Sequence, residues 1–166
     1  MLSTKTLTVQ TIADSELLFA REFDAPRATV FEALTRPALV QRWLLGPDGW
    51  TMPICEIDLK PGGTFRYVWR KGGKDMVMSG TFREIVPPGR IVHTERFDDD
   101  WTGGEAVVTT TLTETGRRTL MTLNVRYASA AGCEAALETG MIDGMSATYD
   151  RLAEMIARGE IGGAGD

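Results

Sequence analysis

A single histidine, His93, and two cysteines, Cys55 and Cys133, are all the imidazole and thiol this 166-residue chain contains. A zinc site of Cys and His ligands therefore lacks its donors, since there is no CxxC pair either. No Ser-His-Asp or Cys-His constellation is legible, so any imidazole acid–base chemistry must run through His93. Two thiols far apart in sequence suit a reducing compartment, and a cytoplasmic location is expected. Runs of 18 apolar residues are missing, so no membrane span is expected. The opening "MLSTKTLTVQTIADSELLF" has no uninterrupted apolar stretch of the kind an export signal needs. A basic excess is missing too: 18 Lys and Arg stand against 23 Asp and Glu, for a net charge of −5. The basic residues are scattered, and nucleic acid is not an expected partner, because binding phosphates requires concentrated positive charge.

What remains is the composition of a soluble globular chain, 43% hydrophobic and 25% charged. Its length suits one domain, taken as residues 1–158, followed by a flexible tail over 159–166. Residues 7–23 read as one β-strand, with Phe19, Arg21 and Phe23 on one face. The pattern then turns helical: Asp24 is placed to cap a helix with Pro26 in its first turn, and Pro37 ends that helix and starts a second. From Trp50 to Tyr127 the period is two, broken by turn sequences, which gives six further strands: 51–60, 64–71, 75–86, 90–97, 105–114 and 118–127. Short connections make them antiparallel neighbours. A helix is expected over Glu134–Arg158, where Leu137, Met141, Met145, Thr148, Leu152 and Ile156 follow helical spacing.

Amphipathic strands need cover on one face, and the C-terminal helix offers the only long apolar surface, so the sheet should wrap around it. Strand parity turns Phe65, Tyr67 and Trp69 inward, with Met76, Met78 and Phe82, then Val108, Thr110 and Leu112, then Met121, Leu123, Val125 and Tyr127. In "RIVHTERF" the parity is ambiguous, and His93 and Phe97 are favoured inward.

The order strand, two helices, six strands, long helix, with the words "REFDAPRATVFEAL", "RWLLGP", "DLKPGGTFRYVWR", "SGTFREIVPPGRIVHTERFDDDWTGGEAVVTT" and "LETGMIDGMSATYDRLAEMI", resembles the SRPBCC superfamily, the START-like or birch-pollen-allergen-like helix-grip proteins. The branch it resembles is that of the C-terminal domain of the activator of the 90-kDa heat-shock protein ATPase. The resemblance implies an α+β helix-grip fold: a curved seven-stranded antiparallel sheet wrapped around a long C-terminal helix, with two short helices after the first strand. One departure is visible, because Leu44 follows Trp43 where the family pattern commonly pairs two tryptophans before Gly-Pro. The superfamily hosts carriers, receptors, cyclases, hydrolases and chaperone cofactors, so fold alone does not choose among them.

Gly62 and Gly63 sit between two strands, which makes them a turn; a phosphate loop would lead into a helix. Asp98, Asp99, Asp100 and Glu105 are too nearly adjacent to converge on calcium and read as an acidic hairpin. No metal or cofactor is called for. Cys133, at the start of the expected helix, is weighed as a reactive thiol against Glu134, which opposes ionisation; Cys55 reads as a small apolar residue. Gly140 and Gly144 thin the expected helix on one side, which places ligand space beside them. The aromatic and thioether residues Trp43, Tyr67, Trp69, Met78, Phe82, Met141, Met145 and Tyr149 fit a deformable lining. His93 and Glu95 are its candidate polar groups, and Trp101 is an aromatic in a polar turn that fits a cavity mouth. The expected partner is a small apolar or aromatic molecule held between sheet and helix. An interaction module with a chaperone partner, implied by the resemblance alone, stays open, as do a cyclase- or hydrolase-like enzyme in the same pocket and a homodimer.

Overall fold

The computed structural model describes residues 6–99 and 103–161. A turn at Asp14 and Ser15 divides the first extended segment into β1 (Thr8–Ala13) and β2 (Glu16–Phe23), which pair antiparallel. Among the described residues the sheet therefore has eight strands, not the seven expected from sequence. All positions of β1 after the first are exposed, so no inward face marks where that strand ends.

Two short helices follow, α1 (Arg27–Thr35) and α2 (Pro37–Trp43), separated by an extended Arg36. The residue before a proline avoids the helical region, so Pro37 dictates the break and then serves as the first residue of α2. The expected Asp24 cap does not form: Asp24 pairs with Arg118 at 3.1 Å, and the Arg27 amide donates instead to Glu114 Oε1 at 2.7 Å. A carboxylate from a neighbouring strand thus does the work of the cap.

These helices carry the chain to the far edge of the sheet. From there β3 (Thr51–Ile57), β4 (Thr64–Lys71), β5 (Lys74–Val86), β6 (Arg90–Phe97), β7 (Ala106–Thr115) and β8 (Arg118–Arg126) return as a meander until β8 meets β2. The order is β1-β2-β8-β7-β6-β5-β4-β3, antiparallel at each pairing. The Pro61-Gly62-Gly63 turn joins β3 to β4 and is itself tied to the sheet, with reciprocal 2.8 Å backbone bonds linking Gly62 and Gly63 to Phe82. A bulge between Phe82 and Glu84 shifts the β5–β6 register.

The single long C-terminal helix expected from sequence is two helices, α3 (Ala130–Glu138) and α4 (Met141–Ala157). Gly140 separates them at φ +77°, a left-handed conformation that side-chain-bearing residues resist. Ser129 caps α3 by accepting the Gly132 amide at 3.0 Å. Residues 159–161, expected to belong to a flexible tail, are docked: Ile161 is buried and the Glu160 amide bonds to Met155 O at 3.0 Å.

The apolar interior forms three clusters. One joins the second half of α4 (Tyr149, Leu152, Met155) to α1, α2 and Phe23, Leu112 and Met121 of the sheet. A second joins α3 (Cys133, Ala136) to Leu17, Phe19, Val108 and Val125. The third joins Phe65, Trp69, Met78, Phe82 and Ile91 to Val40 of α2 and Met52, with no member from α3 or α4.

Both thiols belong to this interior. Burial, then the Glu56 charge, pushes Cys55 up to about 11. Cys133 lies inside α3, not at its start as expected, with its amide bonded to Ser129 O; burial, then Glu134, raises it as well. Neither environment activates sulfur.

Two outcomes are expected. A Cβ at Gly80 would run into the Thr94 carbonyl oxygen and lie 2.6 Å from Phe65 Cε1, so Gly80→Ala must force β5 and β6 apart. It should cost about 1–3 kcal/mol in urea unfolding at unchanged slope, and a variant as stable as the parent would refute this packing. A Cys55 at about 11 holds far less thiolate at pH 8 than a free thiol of about 8.5, so iodoacetamide should modify it roughly a hundredfold more slowly. Its rate should climb about tenfold per pH unit up to about pH 10; peptide mass spectrometry showing free-cysteine rates at pH 8 would contradict the assignment.

Candidate functional site

Between the third cluster and α4 the interior opens into a cavity of about 620 Å³. Strand alternation supplies one wall: Phe65, Tyr67 and Trp69 from β4, Met76 and Met78 with Phe82 from β5, and Ile91, His93, Glu95 and Phe97 from β6. The central strands give the floor, with Val108, Thr110, Leu123, Val125 and Tyr127. Opposite stand Met141, Gly144, Met145, Thr148 and Tyr149 of α4, and the segment Trp43 to Pro47 closes one side.

Of the residues proposed from sequence, Trp43, Tyr67, Trp69, Met78, Phe82, His93, Glu95, Met141, Met145 and Tyr149 all line this cavity, and Trp101 lies outside the described residues. The parity of β6 is resolved with Ile91, His93, Glu95 and Phe97 toward the cavity. Thr94, on the other face, is buried because its hydroxyl accepts the Thr81 amide at 3.1 Å. Sequence reasoning left Trp50, Leu45 and Tyr127 out of the site. The inward parity of Tyr127 is the signal that could have found it; Leu45 sits in a loop with no periodicity to read, and Trp50 stands directly before β3 at the start of the period-two run.

The loop is fastened to α4 by polar contacts. The Gly46 amide donates to Thr148 Oγ1 at 2.9 Å, and Arg151 donates to the carbonyl oxygens of Trp43 and Gly46 at 3.1 and 3.2 Å. These bonds hold Leu44, Leu45 and Pro47 over the cavity.

The wall's aromatic residues spend their indole N–H groups on the protein. Trp43 Nε1 donates to Ala33 O at 2.9 Å and Trp69 Nε1 to Leu44 O at 2.7 Å. Both rings are thereby fixed, and with Trp43 5.8 Å from Tyr149 and Trp69 5.7 Å from Tyr67 they form an aromatic surface.

Polarity is confined to a few groups. His93 Nε2 lies 3.2 Å from Glu95 Oε2, and His93 is packed edge-on to Phe65 at 5.2 Å. Its Nδ1 is buried and has no hydrogen-bond partner among the described residues. Tyr127 Oη donates to Met141 Sδ at 3.5 Å. Burial, with smaller contributions that include the charge of Glu95, raises the pKa of Tyr67, Tyr127 and Tyr149, so each stays a neutral phenol at physiological pH. Among the described residues no three His, Cys, Asp or Glu side chains are arranged to hold a metal ion, and no helix is long and apolar enough to cross a membrane.

Known proteins match this architecture over nearly the whole chain. A structure from Rhodobacter sphaeroides is similar at 31% identity and TM-score 0.87, covering 92% of this chain and 99% of its own. One from Nitrosomonas europaea, at 24% identity and TM-score 0.79, covers 90% and 99%. The AHSA1 protein of Silicibacter pomeroyi, at 24% identity and TM-score 0.68, covers 87% and 99%. No curated protein matches the chain. The family model described as "Activator of Hsp90 ATPase homolog 1-like protein" matches residues 24–157, from the loop before α1 to the end of α4, and the chain belongs to that family.

Proposed function

We propose that this protein binds a small apolar or aromatic molecule in the cavity between its sheet and α4. The observation that carries this reading is the cavity itself: about 620 Å³ falls within the roughly 300–1,000 Å³ of small-molecule sites. A filled core would have served stability better, because each unfilled volume forfeits dispersion contacts and costs free energy. Lining chemistry points the same way. Aromatic faces supply area, Met76, Met78, Met141 and Met145 adapt to shape, and the few polar groups orient what enters.

The second reading, an interaction module with a chaperone partner, draws on the description of the family. A third, a cyclase- or hydrolase-like reaction in the same pocket, draws on the 3.2 Å His93–Glu95 contact as an acid–base pair. Neither reading by itself calls for the cavity's size or its apolar walls.

Trp43, Trp50 and Trp69 line the cavity, so entry of a ligand should alter tryptophan emission. The uncharged fluorophore N-phenyl-1-naphthylamine is expected to bind saturably at one molecule per chain, with energy transfer from these indoles. Met145→Trp, which thrusts a larger side chain from α4 into the same space, should weaken that binding by about tenfold or more while the protein stays folded. Absence of saturable binding across this fluorophore and an apolar library would defeat the carrier reading.

A further inference from the structure

The cavity's charge pattern narrows the class of molecule it would take. Among the described residues Glu95 is the only carboxylate in the lining, and no lysine or arginine lines it. Glu95 is therefore the one acidic group that an entering molecule would meet there. His93 Nε2 meets its Oε2, no donor among the described residues meets its Oε1, and a quarter of the side chain is exposed. A neutral His93 that donates Nε2–H to Glu95 leaves its Nδ1 as an acceptor.

The surroundings repeat the same preference. Tyr67 comes from β4, Tyr149 from α4 and Tyr127 from the position just after β8, and the charge of Glu95 reaches all three phenols. The indole N–H groups of Trp43 and Trp69 are bonded to backbone, so neither offers an incoming anion a donor. Electron-rich faces attract cations and repel anions. Of the lining rings Trp50 already faces a cation, Lys71 at 5.9 Å, and Lys71 does not itself line the cavity.

We propose that the cavity selects organic amines, an apolar or aromatic body carrying a protonated nitrogen that seats at Glu95 among the tyrosine rings, over carboxylic acids of the same shape. This rests on the ligand-carrier reading and adds to it a charge and an orientation. The nitrogen would bond to Oε1, while the body lies along Trp69, Met78 and Met145.

The test compares three probes of one skeleton, 4-phenylbutylamine, 4-phenylbutan-1-ol and 4-phenylbutanoate, titrated at pH 7 by calorimetry and tryptophan emission. The amine is expected to bind about tenfold or more tightly than the acid, with the alcohol between them. Glu95→Gln, which keeps the side chain's size, should weaken the amine by about tenfold and leave the alcohol within about twofold. An alcohol that binds while the acid equals or beats the amine overturns this inference and leaves the carrier reading standing. A preference for the amine that survives Glu95→Gln also overturns it. Failure of all three probes and of the uncharged fluorophore removes both. The wild-type series decides on its own should the variant not fold.

Discussion

Everything distinctive in this structure follows from a mismatch of widths. Eight antiparallel strands about 4.8 Å apart span roughly 34 Å, whereas a helix with its side chains is about 10–12 Å across. Curving the sheet around α4 reduces the mismatch without removing it. The β2, β7 and β8 side is packed by α1, α3 and α4, and those contacts make two of the three apolar clusters. The β3 to β6 side meets α2 and the segment after it, and its cluster includes no residue of α3 or α4. The cavity is the volume between that third cluster and the helix.

A helix with one side facing a cavity must be held elsewhere, and the magnitudes show by what. Arg21, buried on the inner face of β2, reaches Asp150 of α4 at 2.6 Å. Asp150 is 61% exposed, so solvent screens the pair and it contributes about 1 kcal/mol at most. Burying Leu152 and Met155 completely contributes about 1.5–3 kcal/mol each, so the second half of α4 is fixed chiefly by the apolar cluster beneath it. The break at Gly140 fixes the other end. By leaving the helical path there, the chain lets α3 bring Cys133 and Ala136 down onto Leu17 and Phe19. An unbroken helix of the same length would have had to follow one axis over both clusters.

This division explains what could be read in the sequence. Strands β4 to β8 were legible because each has a core face and a solvent face, so period two appears wherever one face is buried. β1 has almost no buried face and merged with β2. The helix break was hidden for a different reason: Leu137 and Met141 stand four apart across it, so the apolar stripe keeps phase while the backbone does not. Wall residues on strands were found by parity, as with Tyr67, Trp69 and Met78. Leu45, from the loop after α2, is held through bonds from the distant Arg151 to its neighbours Trp43 and Gly46, and no local pattern encodes it.

The departure at Leu44 is informative in the same way. Where the family pattern commonly has a second tryptophan, this chain uses the Leu44 carbonyl to accept the Trp69 indole proton. The backbone geometry of the segment, fastened by Arg151 and Thr148, is thus what orients the β4 ring, while the side chain at position 44 only contributes apolar lining. With the indole protons of Trp43 and Trp69 consumed by backbone, the one carboxylate and the one imidazole in the lining, both on β6, stand out from its hydroxyl groups. On the proposed carrier reading, discrimination between ligands of equal size and apolarity would come from that end, because dispersion against aromatic and thioether walls does not distinguish one well-fitting body from another.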